Sequence, residues 1–127
     1  MLPFTAIHHV AILVSDYAAS RAFYVDKLGL PVLRENYRPA RGDWKLDLAC
    51  GDVELELFSA PNSPTRVTNP EARGLRHLAF RVDDVEVAVR ELAALGIECE
   101  PIRVDEFTGA RMTFFRDPDN LPLELHE

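Results

Sequence analysis

Two cysteines, Cys50 and Cys99, are all the thiol chemistry this 127-residue chain carries. They stand far apart, without the paired spacing of a zinc site or a redox motif, and read as small buried residues of a protein in a reducing compartment. Long apolar runs are also missing. Nothing approaches the roughly 18 residues that a membrane-spanning helix requires. The opening "MLPFTAIHHV" lacks the basic-then-apolar layout of a secretory signal, so the cytoplasm is the expected location. Positive charge is scarce as well: 14 Lys and Arg face 21 Asp and Glu, for a net charge of −7. Partners that need a positive field, nucleic acids and anionic membranes, are thereby excluded, which leaves small molecules or other proteins. What is present is 47% hydrophobic and 28% charged residues, enough to bury the core of one domain over residues 1–127.

The chain repeats itself. "HHVAILVSD" at 8–16 aligns with "RHLAFRVDD" at 76–84, pairing His9 with His77, Ala11 with Ala79, Val14 with Val82 and Asp16 with Asp84. The same offset of 68 residues lays "ELELFS" at 54–59 on "PLELHE" at 122–127, so that Glu56 pairs with Glu124. In each half the histidine and the glutamate are 47 residues apart. Two ligand-type residues recurring together at one offset, each within an apolar stretch, mark a duplication.

Each half reads as strand, helix, then three strands, which makes an α+β chain of two βαβββ modules, about 5–59 and 75–127. "APNSPTRVTNPEARG" at 60–74, rich in proline and poor in apolar residues, links them. Ser15 or Asp16 is expected to cap a helix through "DYAASRAFYVDKL", stopped at Gly29. Asp83, with Glu86 three residues on, is expected to cap "DVEVAVRELAAL", stopped at Gly96. Strands are expected near 31–37, 44–50 and 53–59, and near 98–104, 110–116 and 121–126, with "CGD" and "DPDN" as turns before the last strand of each half.

Side chains alternate along a strand, so each histidine and glutamate can be assigned a face. Val10, Ile12, Val14, Leu55, Leu57, Leu123 and Leu125 point toward the helices. His9, Glu56, His77 and Glu124 point away. If the sheets curl into a common trough, these four converge as imidazole nitrogen and carboxylate oxygen, a donor set for a first-row divalent ion with positions left open. Taken singly, each would be an ordinary hydrogen-bonded histidine or a solvated glutamate; the symmetric pairing argues for ligands. No role is expected of His8, assigned to the helix side, or of His126 at the end of the chain.

The paired modules, "HHVAI" opening the first, "LRHLAF" opening the second, and "RDPDNLPLEL" near the end resemble the vicinal oxygen chelate superfamily, and most of all small bacterial glyoxalase I-like proteins. The resemblance covers almost the whole chain. It implies a curved mixed-sheet trough and a homodimer. It further implies one divalent metal per site held by His9, Glu56, His77 and Glu124, with nickel or cobalt favoured and zinc, manganese or iron as alternatives. Bacterial glyoxalase I has an Arg four residues after the first His and an Asn four after the first Glu. Here Leu13 and Ala60 stand at those positions, so glutathione binding of that kind is not implied.

Such a site would catalyse proton transfer beside a carbonyl, through a metal-stabilised enediolate, with Glu124 and Glu56 as candidate bases. A hemithioacetal or another 2-oxo or 2-hydroxy carbonyl compound fits as substrate. "RENYRPARGDWK" and "RVDEFTGARMTFF" supply candidate substrate contacts: Arg38, Trp44, Lys45, Arg103 and Arg111. Other readings are a metal-free module that binds an antibiotic-like small molecule, and another metalloenzyme of the superfamily, whether epimerase, thiol transferase or dioxygenase.

Overall fold

The computed structural model describes all 127 residues, which divide into two compact units, Met1–Pro64 and Thr65–Glu127. In the first, strand β1 (His9–Val14) leads into helix α1 (Tyr17–Arg21), followed by β2 (Val32–Arg38), β3 (Asp43–Cys50) and β4 (Val53–Ser59). In the second, β5 (Leu78–Arg81) leads into α2 (Val85–Ala94), then β6 (Arg103–Val104), β7 (Arg111–Arg116) and β8 (Pro122–His126). The sheet orders β1-β4-β3-β2 and β5-β8-β7-β6 are the same path traced twice. In each, the first strand pairs parallel with the last and the remaining pairs are antiparallel. The α+β class and the duplicated mixed sheets are therefore as the sequence implies.

Alternation places the core of each unit. Val14, Leu46, Leu48, Leu55 and Leu57 are fully or almost fully buried in the first unit, together with Phe23 and Tyr24 from the helical segment. In the second, Val85 and Leu92 of α2 pack with Phe115, Leu123 and Leu125. Burying a side chain of this size stabilises the fold by about 1.5–3 kcal/mol, so these positions dominate the energetics of each unit.

Four local expectations need correction. The first helix is α-helical only to Arg21 and continues as a π-helix over Ala22–Lys27, closed by Leu28 N–H on Phe23 O at 2.9 Å. The wider turn lets two consecutive aromatics, Phe23 and Tyr24, both face the core. The cap of α2 is Asp84, not Asp83: its carboxylate accepts from the backbone N–H of Glu86 and Val87. Glu86 instead pairs with Arg111 at 3.1 Å. Finally, β6 is two residues long rather than seven, since Pro101 has no N–H to give a ladder. Thr113 Oγ1 donates to Glu100 O at 2.6 Å and holds that stretch against β7 without strand pairing.

A candidate metal and substrate site

In each unit the sheet face turned away from the helix collects the polar residues. On the first, cross-strand partners place Glu56 beside Ala11 of β1 and Asp47 of β3. His9 opens β1 two residues before Ala11, and its Nδ1 lies 3.3 Å from Glu56 Oε2. On the second, Glu124 stands beside Ala79 of β5 and Phe114 of β7. His77 lies two residues before Ala79, just ahead of the ladder, and its Nε2 is 2.8 Å from Glu124 Oε2. The His–Glu pair thus recurs at one register in both units. His9 is the first residue of β1, and His77 stands one residue ahead of β5.

Local chemistry explains how these side chains are held. Glu56 and Glu124 are 9% and 6% exposed, buried along the centre of strands that have a neighbour on both sides. The "DPDN" turn launches β8: buried Asp117 accepts from the N–H of Asp119 at 2.9 Å and of Leu121 at 2.8 Å, and Asn120 adopts a left-handed φ of 64°. The backbone just before His77 is tied down by Arg66, whose guanidinium donates to the carbonyls of Leu75 at 3.0 Å and Arg76 at 2.7 Å. Arg66 is a residue the sequence reading passed over within the linker.

Around the pairs, the two units differ. In the first, Lys45 Nζ bridges buried Asp47 at 2.7 Å and Glu56 Oε1 at 3.4 Å. Arg34 bonds Asp47 at 2.8 Å and Glu54 at 2.6 Å. Burial pulls the Lys45 ammonium down, but the two carboxylates outweigh it and hold its pKa above the ordinary lysine value. Burial likewise raises Asp47, yet Lys45 and Arg34 together bring it below the usual carboxylate range. In the second unit, His126 Nδ1 lies 2.9 Å from Glu124 Oε1, and His77 meets Phe114 edge-to-face with centroids 5.1 Å apart. A cavity of about 630 Å³ opens on this face, lined among others by His77, Arg103, Phe114, Glu124 and His126.

The residues named from sequence separate accordingly. Arg103 lies over the Phe114 ring, 5.2 Å from its centroid, facing the cavity without an ion-pair partner. Lys45 is on the same face as Glu56 but engaged by two carboxylates. Arg38 is clamped by Asp43 at 2.6 Å and stacks over Phe58. Trp44 and Arg111 lie on the opposite faces. Trp44 stacks on Tyr17 with centroids 5.4 Å apart, and Arg111 ties Glu127 at 2.6 Å and Glu86 at 3.1 Å. Odd and even strand positions point to opposite sides, so neither side chain shares the face of Glu56 or Glu124. Two histidines also behave otherwise than expected. His8 is exposed, its Nδ1 2.9 Å from that of His9, and His126 joins Glu124. For His126 the signal was there, two residues past Glu124 on one strand. Both cysteine thiols are half-buried and free, and burial raises their pKa, which keeps them protonated and unreactive.

An imidazole nitrogen and a carboxylate oxygen directed at one another are the donors that a first-row divalent ion draws together, so each pair fits half of a metal site. No three His, Cys, Asp or Glu side chains of the chain are themselves arranged to hold an ion.

Comparison with known proteins matches residues 6–125 to the Glyoxalase/Bleomycin resistance protein/Dioxygenase superfamily. YwkD of Bacillus subtilis (strain 168) is 59% identical over 96% of this chain and 96% of its own length. The crystal structure of a glyoxalase family protein from Enterococcus faecalis superposes with a TM-score of 0.93 at 58% identity, covering 99% of this chain and all of the other. A lactoylglutathione lyase from Agrobacterium tumefaciens matches with a TM-score of 0.75 at 29% identity, over 99% of this chain and 96% of the other.

Proposed function

The chain belongs to the Glyoxalase/Bleomycin resistance protein/Dioxygenase superfamily, and from that premise we propose a metal-dependent lyase or isomerase that moves a proton beside the carbonyl of a small substrate. The carrying observation is the His–Glu pair at one register in both units. In this reading His9, Glu56, His77 and Glu124 bind one divalent ion per site, nickel or cobalt by preference. When bound, that ion supplies the positive charge that stabilises an oxyanion next to the reacting carbon. Glu124 and Glu56 are the bases, both buried, Glu56 with one carboxylate oxygen near a histidine and Glu124 with both. Two chains form a homodimer, a reading supported by apolar side chains left bare beside the ligands, Ile7 and Leu13 in the first unit and Leu75 in the second.

The substrate is a hemithioacetal or a 2-oxo or 2-hydroxy carbonyl compound with an anionic group at its far end. Arg103 receives that group, being a cation held over an aromatic ring on the cavity wall that also carries His77 and Glu124. Leu13 occupies the sheet face of His9 and is 61% exposed, which offers an apolar contact where a glutathione carboxylate would need a cation. The likeness to a lactoylglutathione lyase supports the reaction class rather than the thiol.

The test is proton exchange in D2O, followed by NMR, on protein loaded with cobalt or nickel. Methylglyoxal with glutathione is offered first, then 2-oxo and 2-hydroxy acids without thiol. Metal-dependent deuterium incorporation at the carbon beside the carbonyl is expected, and its absence from the whole panel would overturn the enzyme reading. A second reading, a metal-free module that binds a small molecule, is favoured by the lack of any three-donor cluster in the chain. Ligand capture by protein that takes up no metal would select it.

A further inference from the structure

The two glutamates are related by the repeat, yet their neighbours are not. Glu56 faces Asp47 across the β3–β4 ladder, while at the matching register Glu124 faces Phe114. Lys45, opposite Phe58, corresponds to Met112, opposite His126. The first unit has therefore placed a buried carboxylate and an ammonium where the second has an aromatic ring and a thioether. Asp47 is 2% exposed and holds Lys45 Nζ at 2.7 Å, which fixes the ammonium in reach of Glu56 Oε1 at 3.4 Å. The other oxygen, Oε2, is the one near His9.

We propose that Lys45 is a positioning residue: tethered by Asp47, it occupies one oxygen of Glu56, so that this glutamate presents only Oε2 toward His9 and a metal. Glu124 has no ammonium of this kind beside it: its two oxygens meet two imidazoles, His77 at 2.8 Å and His126 at 2.9 Å. The duplicated carboxylates are thus differentiated, Glu56 with one oxygen beside a tethered ammonium and Glu124 with both oxygens facing imidazoles. Lysine suits the task because its ammonium can donate to both carboxylates at once, and arginine at this position could keep the double contact. This inference rests on the metal reading above.

Cobalt(II) supplies a readout independent of turnover, since its visible absorption reports the number and arrangement of donor oxygens. Wild type, Lys45→Met, Lys45→Gln, Lys45→Arg and Asp47→Asn are each loaded with cobalt and checked for native circular dichroism. Lys45→Met, Lys45→Gln and Asp47→Asn are expected to share a shifted, weaker visible band as the second Glu56 oxygen enters coordination. Lys45→Arg is expected to keep the wild-type band. Cobalt bound by folded Lys45→Met and Lys45→Gln with spectra that superimpose on wild type would overturn this inference alone. No cobalt uptake by wild type would overturn the metal reading and this inference with it.

Discussion

Glu124 is the residue on which the proposed chemistry turns. It is buried on β8 with one oxygen 2.8 Å from His77 and the other 2.9 Å from His126, on the cavity wall, and in the proposed reading it passes a proton to and from the substrate. Glu124→Gln keeps the shape and removes the base, so kcat/KM is expected to fall about 10²- to 10⁴-fold once a substrate is identified. A loss of less than tenfold would move the role elsewhere. Asp47 tests the supporting network. Asp47→Asn takes away the acceptor shared by Lys45 and Arg34, and because those cations can partly rehydrate, the expected cost is about 2 kcal/mol in urea unfolding. Stability unchanged by that substitution would show the network to be dispensable.

The elements follow from short sequence signals, with informative exceptions. The repeat offset was sufficient to predict two like modules of one helix and four strands, and matched hydrophobic alternation to predict which face each strand buries; the strand order came only with the structure. Helix ends were legible at Asp16, which accepts from Ala19 N–H at 3.0 Å, and at Gly29 and Gly96, both in the left-handed region. The α2 cap was misplaced by one residue, since Asp83 and Asp84 are equal candidates until burial of Val85 selects the register. Asp84→Ala is accordingly expected to destabilise the protein by about 1 kcal/mol and Asp83→Ala by much less, measured by thermal unfolding. The reverse order would contradict the observed cap. The π-helical stretch was not legible, since two adjacent aromatics both turned inward give no distinctive period.

At the scale of the molecule, ion pairs hold several carboxylates below their ordinary range. Glu35 is held below the usual carboxylate range first by Arg21 and then by the Tyr17 hydroxyl, which donates to it. Asp43 is lowered by Arg38 and Glu127 by Arg111, while in Asp47 the two cations outweigh burial. A carboxylate depressed in the folded state leaves the unfolded chain to bind protons first. Its stabilisation is therefore complete above the unfolded values of about 4 and disappears as pH falls through the folded ones. The urea midpoint should hold between pH 7 and pH 5 and then decline steeply below about 4; a midpoint that rises there would contradict the ion-pair assignment.

The candidate site was legible to the extent that the repeat exposed it. His9, Glu56, His77 and Glu124 stand out because a duplication preserves two pairs at one spacing. Lys45, Asp47, Arg66 and His126 do not, because their contacts depend on strand pairing, on side-chain reach or on a loop that doubles back. Those neighbours are also where the halves differ, so the repeat that reveals the His–Glu pairs hides what surrounds them.

Metal content is the most direct test of the central claim. Wild type, His77→Ala and the double variant His9→Ala, His77→Ala are reconstituted with nickel and cobalt, freed of excess metal and analysed for bound metal and chain concentration. Wild type is expected to retain about one ion per site, and each histidine variant to lose most of it while keeping native circular dichroism. Metal retained equally by all three, or by none, would contradict the assignment of these repeated pairs as a metal centre.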